Sequence, residues 1–220
     1  MNWYSITKLA DSLSSMDNDE LWAWIREHGP RDRVGPMEGG EEYGRRRFFT
    51  SRYGWAVPSR GALEELKAWL GGNKVIEVGA GRGLWARLLR DMEVTVEASD
   101  VHAAEKNSFL KERFDTEGEG SSHTWTDVVQ RSGEDHAGEG AGGDALMMVW
   151  PYMDTEVDWQ AEALKRFGGD KLILVGEGSG GATGSTGLWS AVEREWVYDG
   201  EIDIPRWQGM HDWVQLYRRK

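Results

Sequence analysis

Val75-Ile76-Glu77-Val78-Gly79-Ala80-Gly81-Arg82-Gly83-Leu84-Trp85-Ala86-Arg87-Leu88-Leu89 decides the fold. An apolar run carrying one acid leads into three glycines at every second position, and an amphipathic helical pattern begins directly after them. That order reads as a buried strand, a tight turn and a helix N-terminus, the unit with which doubly wound sheets hold nucleotide-like ligands. Glycine at 79, 81 and 83 lets the backbone approach a ligand where a Cβ would collide. The dinucleotide fingerprint places its third small residue one position later, where this chain has Leu84. The spacing therefore argues against NAD and for a ligand without a pyrophosphate.

Working outward, strands and helices alternate, which implies a mostly parallel sheet with helices on both faces, an α/β fold. Strands are expected at Lys74–Val78, Val94–Ala98, His123–Trp125, Ala145–Val149 and Lys171–Val175, and near Glu195–Tyr198 and Val214–Tyr217. Helices are expected at Leu84–Asp91, Ala103–Phe114, Trp159–Phe167 and around Gly187–Val192. The stretches Asp115–Ser122 and Ser132–Gly143, rich in glycine and acid, read as mobile surface loops. Upstream, Asp17 and Glu20 form a capping box before Leu21, Trp22 and Ile25. Ser59 caps a helix whose Leu63, Leu66 and Leu70 share one face, and Gly71-Gly72 ends it. The division expected is an N-terminal helical extension and lid over residues 1–58 and a catalytic domain over 59–220.

Composition narrows the classes. The 38 acidic and 26 basic residues leave a formal charge of −12, a field that repels a phosphate backbone and disfavours duplex nucleic acid as a partner. Arg45-Arg46-Arg47 with Arg52 forms one short basic run, which reads as a solvated helix face or a local patch. Zero cysteines exclude a disulfide framework and a thiolate zinc site. No apolar stretch nears the ~20 residues of a membrane span, and Met1–Leu13 has no signal-peptide core, so the default location is cytoplasmic. The five histidines show no metal-ligand spacing, and no Gly-x-Ser-x-Gly elbow is present.

The acid-x-Gly-x-Gly-x-Gly pattern over Glu77–Gly83 resembles the first motif of the class I S-adenosylmethionine (SAM)-dependent methyltransferases. The resemblance implies a doubly wound, Rossmann-like, seven-stranded methyltransferase sheet with an antiparallel pair at one edge, and SAM as cofactor. Arg52–Pro58, Glu77–Leu89, Trp150–Tyr152, Gly176–Gly184 and Pro205–Asp212 together look like a little-characterised microbial methyltransferase family, a likeness covering roughly residues 43 to 219. On this reading Gly79, Gly81 and Gly83 line the cofactor. Glu77 sits near its cationic amino end. Asp100, about 20 residues past the glycine turn, accepts the ribose hydroxyls or caps the next helix. Trp125 stacks on adenine and Asp127 accepts from its amine, unless they are a core tryptophan and a helix cap.

The fourth strand ends in Trp150-Pro151-Tyr152-Met153-Asp154, where the acceptor should meet the methyl group. This segment resembles the Asp/Asn/Ser-Pro-Pro-Tyr motif of nucleobase amine methyltransferases, but Val149 stands where the polar acceptor belongs and Trp150 replaces a proline. Tyr152 and Asp154 are candidates for positioning the acceptor or removing its proton, and Trp150 and Pro151 for binding it. Arg52–Pro58 can fold back over the pocket and bring Tyr53 and Trp55 to the acceptor. The glycine-rich run Gly176–Ser185 lacks the Lys-Ser/Thr of a phosphate loop and reads as a flexible loop over the sheet edge, with Glu177 placed for substrate contact or as a base. The expected activity is methyl transfer to a small molecule or protein. The alternatives are a SAM- or nucleoside-binding module without transferase activity, and a nucleobase amine methyltransferase.

Overall fold

A computed structural model describes residues 16–30, 44, 46, 49–50, 54–102, 124–140, 142, 144–152 and 158–220. Helix α1 (Asn18–His28) opens with the expected capping box: the Glu20 N–H donates to Asp17 Oδ1 at 2.9 Å, and the Asp17 N–H donates to the Glu20 carboxylate. Its Leu21, Trp24 and Ile25 are buried against the same core as Phe49 and helix α2 (Arg60–Leu70). Ser59 Oγ accepts from the Ala62 N–H, and Gly71, at φ +64°, closes the other end of α2. Lys171 then plugs that C-terminus, its Nζ donating to Leu70 O at 2.6 Å and Asn73 Oδ1 at 2.8 Å. An ammonium suits this place, because the last carbonyls of a helix lack internal partners.

The sheet comprises β1 (Val75–Val78), β2 (Val96–Asp100), β3 (Val129–Gln130), β4 (Ala145–Val149), β5 (Lys171–Gly176), β6 (Trp196–Asp203) and β7 (Trp213–Arg219). Their order is β3-β2-β1-β4-β5-β7-β6, with β7 antiparallel to both neighbours and the other pairings parallel. Helices α3 (Leu84–Asp91), α4 (Gly133–Ala137), α5 (Trp159–Arg166) and α6 (Thr186–Glu195) fill the crossovers. Alternation along the central strands separates two cores. Val75, Met147, Ile173 and Val175 face the side of α2 and α3, whereas Ile76, Leu146, Met148, Leu172 and Leu174 face α5 and α6. Such strands, buried on both faces, explain the continuous apolar runs of the sequence. Chain reversal of strand order occurs between β1 and β4, and ligand crevices of this class of sheet open there.

Two expectations need correction. The third strand is Val129–Gln130, not His123–Trp125: Trp125 lies in a bend, where its N–H donates to Arg82 O at 2.8 Å, and His123 lies outside the described residues. Ser132–Gly143 is not all loop. Ser132 Oγ caps α4 by accepting from the Asp135 N–H, and His136 and Ala137 bury their side chains. His136 Nδ1 meets Ser99 Oγ at 2.7 Å, which anchors this short helix to β2. The helix expected at Ala103–Phe114 and the loop expected at Asp115–Ser122 lie outside the described residues. No helix among the described residues is long and apolar enough to cross a membrane.

Candidate functional site

A cavity of about 460 Å³ opens at the C-terminal ends of β1, β2 and β4. Its floor is the Glu77–Arg82 turn and its flank is Asp100–His102 with Ser132–Glu134. Trp55, Val149, Trp150, Pro151 and Tyr152 form the opposite wall, and Thr50, Gly54, Leu84, Trp85 and Trp159 complete the lining.

The three glycines of the turn all have positive φ, yet each serves a different purpose. At Gly81 (φ +56°) an added Cβ would meet nothing within 4 Å, so the backbone there faces open cavity. At Gly79 (φ +68°) the Cβ would come within 3.0 Å of the Trp159 ring, which packs over the turn. Gly83 (φ +76°) lies outside the cavity lining; a Cβ there would stand 2.8 Å from Val128 Cγ2, so this glycine admits the 126–128 segment rather than a ligand.

Three acids line the cavity, Glu77, Asp100 and Glu134, and the first two flank the glycine turn. Asp100 Oδ2 accepts the Gly81 N–H at 2.9 Å and Oδ1 accepts the His102 N–H at 2.9 Å. This carboxylate thus fixes the turn and retains lone pairs for a ligand; burial pushes its pKa up against the pull of those two donors. Glu77 stands in β1 on the α3 side, 1% exposed. The Ala86 N–H donates to its carboxyl, supplying the cap that Gly83 cannot give α3. Its Oε2 has no hydrogen-bond partner among the described residues. Burial raises the Glu77 pKa to about 8, only partly countered by Arg90. A buried acid with an unused oxygen beside a cavity fits a cationic donor.

Trp125 and Asp127 are not brought to this cavity. Trp125 is packed in the core, and the Asp127 carbonyl, with Thr126 Oγ1, holds the guanidinium of Arg90. The adenine contacts expected of them followed from placing the third strand too early. His102, Glu134 and Trp159 line the cavity instead. Proximity to Asp100 was a signal for His102; Glu134 and Trp159 carried none.

The opposite wall is aromatic. Trp55 and Trp150 stack with ring centroids 4.6 Å apart and planes 14° from parallel. Trp150 holds φ +50°, rare for a bulky residue, and is pinned at both ends: its N–H donates to Val175 O at 2.7 Å and its Nε1 to Asp212 Oδ1 at 2.9 Å. Trp85 Nε1 donates to Ala56 O at 3.0 Å, tying the segment bearing Trp55 to α3. Tyr152, 44% exposed, pairs through its backbone with Thr183, and the Gly184 N–H donates to Pro151 O. Tyr53 and Asp154 lie outside the described residues.

Glu177 does not line the cavity. Its Oε2 accepts the Ala182 N–H at 2.8 Å and its Oε1 the His211 N–H at 3.0 Å. Burial would raise its pKa, but these donors and the His211 ring hold it below the ordinary value. Such a carboxylate fastens the glycine-rich loop to the chain before β7, which corrects the expectation of a base on a flexible loop. Asp212 is 1% exposed, and burial raises its pKa to about 6 despite the Trp150 hydrogen bond.

No protein-family model and no curated protein matches the sequence. Solved structures do match. A magnesium protoporphyrin IX methyltransferase from Synechocystis PCC 6803, with bound SAM, has a TM-score of 0.51 and 12% identity, covering 97% of this chain and 96% of its own. A 1,6-didemethyltoxoflavin-N1-methyltransferase from Burkholderia thailandensis, with bound 1,6-didemethyltoxoflavin and S-adenosylhomocysteine (SAH), has a TM-score of 0.50 and 18% identity, covering 87% of this chain and 94% of its own. The chain has the fold of the class I SAM-dependent methyltransferases.

Proposed function

We propose that the chain is a SAM-dependent methyltransferase acting on a small-molecule acceptor. The observation that carries this reading is the two-sided cavity, in which a backbone-and-carboxylate wall on β1 and β2 faces an aromatic wall on β4. The residues present fit SAM. Gly81 leaves room for it, Asp100 can accept ribose hydroxyls, and the unused Oε2 of Glu77 can take the ammonium of its amino-acid end. SAM, when bound, supplies a methyl group already activated on a sulfonium. The chain's own residues then have to orient the reactants and exclude water, and Trp55, Trp85, Trp150 and Trp159 provide the dry enclosure.

The neighbours of this fold include proteins named for a porphyrin and a toxoflavin precursor, which supports a small acceptor over a macromolecule. The charge of −12 argues in the same direction against duplex DNA. A nucleoside-binding module that transfers nothing would share the glycine wall, but it would have no need of a second, furnished wall.

Calorimetric titration of the full chain with SAM and with SAH tests the cofactor, and transfer of isotope-labelled methyl to the small-molecule fraction of a cell extract tests the activity. Binding of both ligands with transfer of label is expected. Failure of both to bind at millimolar concentration overturns the reading; binding without any transfer would leave a binding module.

A further inference from the structure

We infer that the acceptor is a planar aromatic or heteroaromatic compound, held against the Trp55–Trp150 pair. This rests on the methyltransferase reading and specifies its second substrate. Both rings line the cavity, and because they stack on each other nearly parallel at 4.6 Å, an outer face of the stack presents one defined plane. A flat π-system laid along that plane gains the offset-stacked contact that aromatic pairs prefer, whereas a saturated ring of equal size gains only apolar burial.

The way the pair is held supports a binding role over simple filling of space. Trp150 sits at φ +50°, a backbone state that costs free energy for an L-residue with a large side chain, and such positions concentrate at functional sites. Three contacts keep it there: the Val175 carbonyl, the stacked Trp55, and Asp212. Asp212 is a carboxylate withdrawn from water behind the wall, steadied by Arg206, whose Nε donates to the Asp212 carbonyl at 2.9 Å. A charged partner for an indole N–H forms a stronger bond than a neutral one and fixes the ring's rotation. Core packing alone would need neither the left-handed backbone nor the buried acid. Trp55 arrives from the opposite direction on a strap fastened by Trp85, so both rings are oriented before any acceptor enters. Asp212 acts through Trp150 and is a positioning residue.

The described residues of this wall offer no charged side chain to the cavity, while Glu77, Arg82, Asp100, His102 and Glu134 all lie on the turn, the β2 end and α4. Arg46, whose guanidinium lies over the Trp55 ring at 5.9 Å from its centroid, adds a cation beside that wall, so recognition there depends on shape, stacking and this charge.

The test uses the full chain saturated with SAH and two probes that share a carbon skeleton and a hydroxyl, β-naphthol and decahydro-β-naphthol, titrated calorimetrically. β-Naphthol is expected to bind at least about tenfold more tightly than the saturated probe, the lower part of the range for one stacked ring. Trp55→Leu, which keeps apolar volume without the ring, should cost β-naphthol about tenfold and leave the saturated probe and SAH within about twofold. Asp212→Asn, whose amide oxygen still accepts from Nε1, should retain the preference for the planar probe; Asp212→Leu should lose it with SAH binding intact. Equal binding of the two probes, no binding of β-naphthol, or an unchanged β-naphthol affinity in Trp55→Leu overturns the acceptor class alone. Absence of SAH binding by the wild-type chain overturns the methyltransferase reading and the acceptor class together.

Discussion

The two walls of the cavity are made in opposite ways. The turn wall is backbone: Gly79 and Gly81 at positive φ, with Asp100 gripping the Gly81 and His102 N–H groups. It comes from one contiguous stretch plus the end of the adjacent strand. The aromatic wall is side chain, assembled from Trp55, from Trp150–Tyr152 and, behind them, from Asp212, which lies 62 residues beyond Trp150 along the chain. A wall of backbone admits few substitutions, because its shape is a set of dihedral angles. A wall of side chains can be exchanged ring by ring while the strands beneath stay put. The contrast suits a site with one constant ligand and one that distinguishes this protein from others of its fold.

Substitutions can break this contrast, and the largest effect falls on the turn. Gly81→Val places a branched side chain in open cavity and in a left-handed backbone state costing about 1–2 kcal/mol. Calorimetry should show no SAM binding, while circular dichroism still reports the folded chain. Asp100→Ala removes the proposed ligand acceptor and the clasp on the turn, and should weaken SAM by about 1–3 kcal/mol; unchanged affinity would remove Asp100 from the site. Gly83→Ala sharpens the comparison by inverting it. A methyl group 2.8 Å from Val128 should lower stability in urea unfolding by about 1–3 kcal/mol through overpacking, with little change in SAM affinity, because this glycine serves the fold.

A further effect is on pH dependence. Glu77 in the folded chain ionises near 8, against an ordinary value of 4.5. Below 4.5 the acid is neutral whether the chain is folded or not, and its contribution is fully present. Between these values the unfolded chain holds fewer protons than the folded one, so stability of the ligand-free protein should fall as pH rises towards 8. Thermal unfolding at a series of pH values should show this slope, flattened in Glu77→Gln. An identical slope in both proteins would mean that another group is responsible.

Legibility followed the same division. That Glu77, Gly79, Gly81 and Asp100 would meet at one cavity was readable because their spacing is local: a strand, a turn and the end of the next strand. The central strands were readable as apolar runs, and the β6–β7 pair was located within a few residues. The third strand was not, since two exposed residues carry no alternation, whereas the Trp125 segment has the aromatic and β-branched look of a strand while serving as core. Helix α4 hid inside glycine and acid because its anchors are tertiary, the Ser99 hydroxyl and the Trp159 ring. Glu177 looked like a base from its place at a strand end, but only the fold could reveal that it lies off the cavity lining, with backbone donors from two loops on its oxygens. Asp212 shows the reverse. Nothing near it in the chain points to the indole it holds.

The short third strand has a consequence for motion. β5 and β7 pair along Lys171–Gly176, whereas β2 and β3 join only through Ser99 with Val129 and Asp100 with Gln130, extended by the Arg131 N–H on Asp100 O at 2.8 Å. Amide protons on the β5–β7 side should therefore exchange with solvent only on global unfolding, and those of Gln130 and Arg131 by local fraying. Asp100 sits on that seam. Anything that engages its carboxylate should slow exchange at Gln130 and Arg131 first, so the loosest flank of the sheet would register occupancy of the site before the rest of the molecule does.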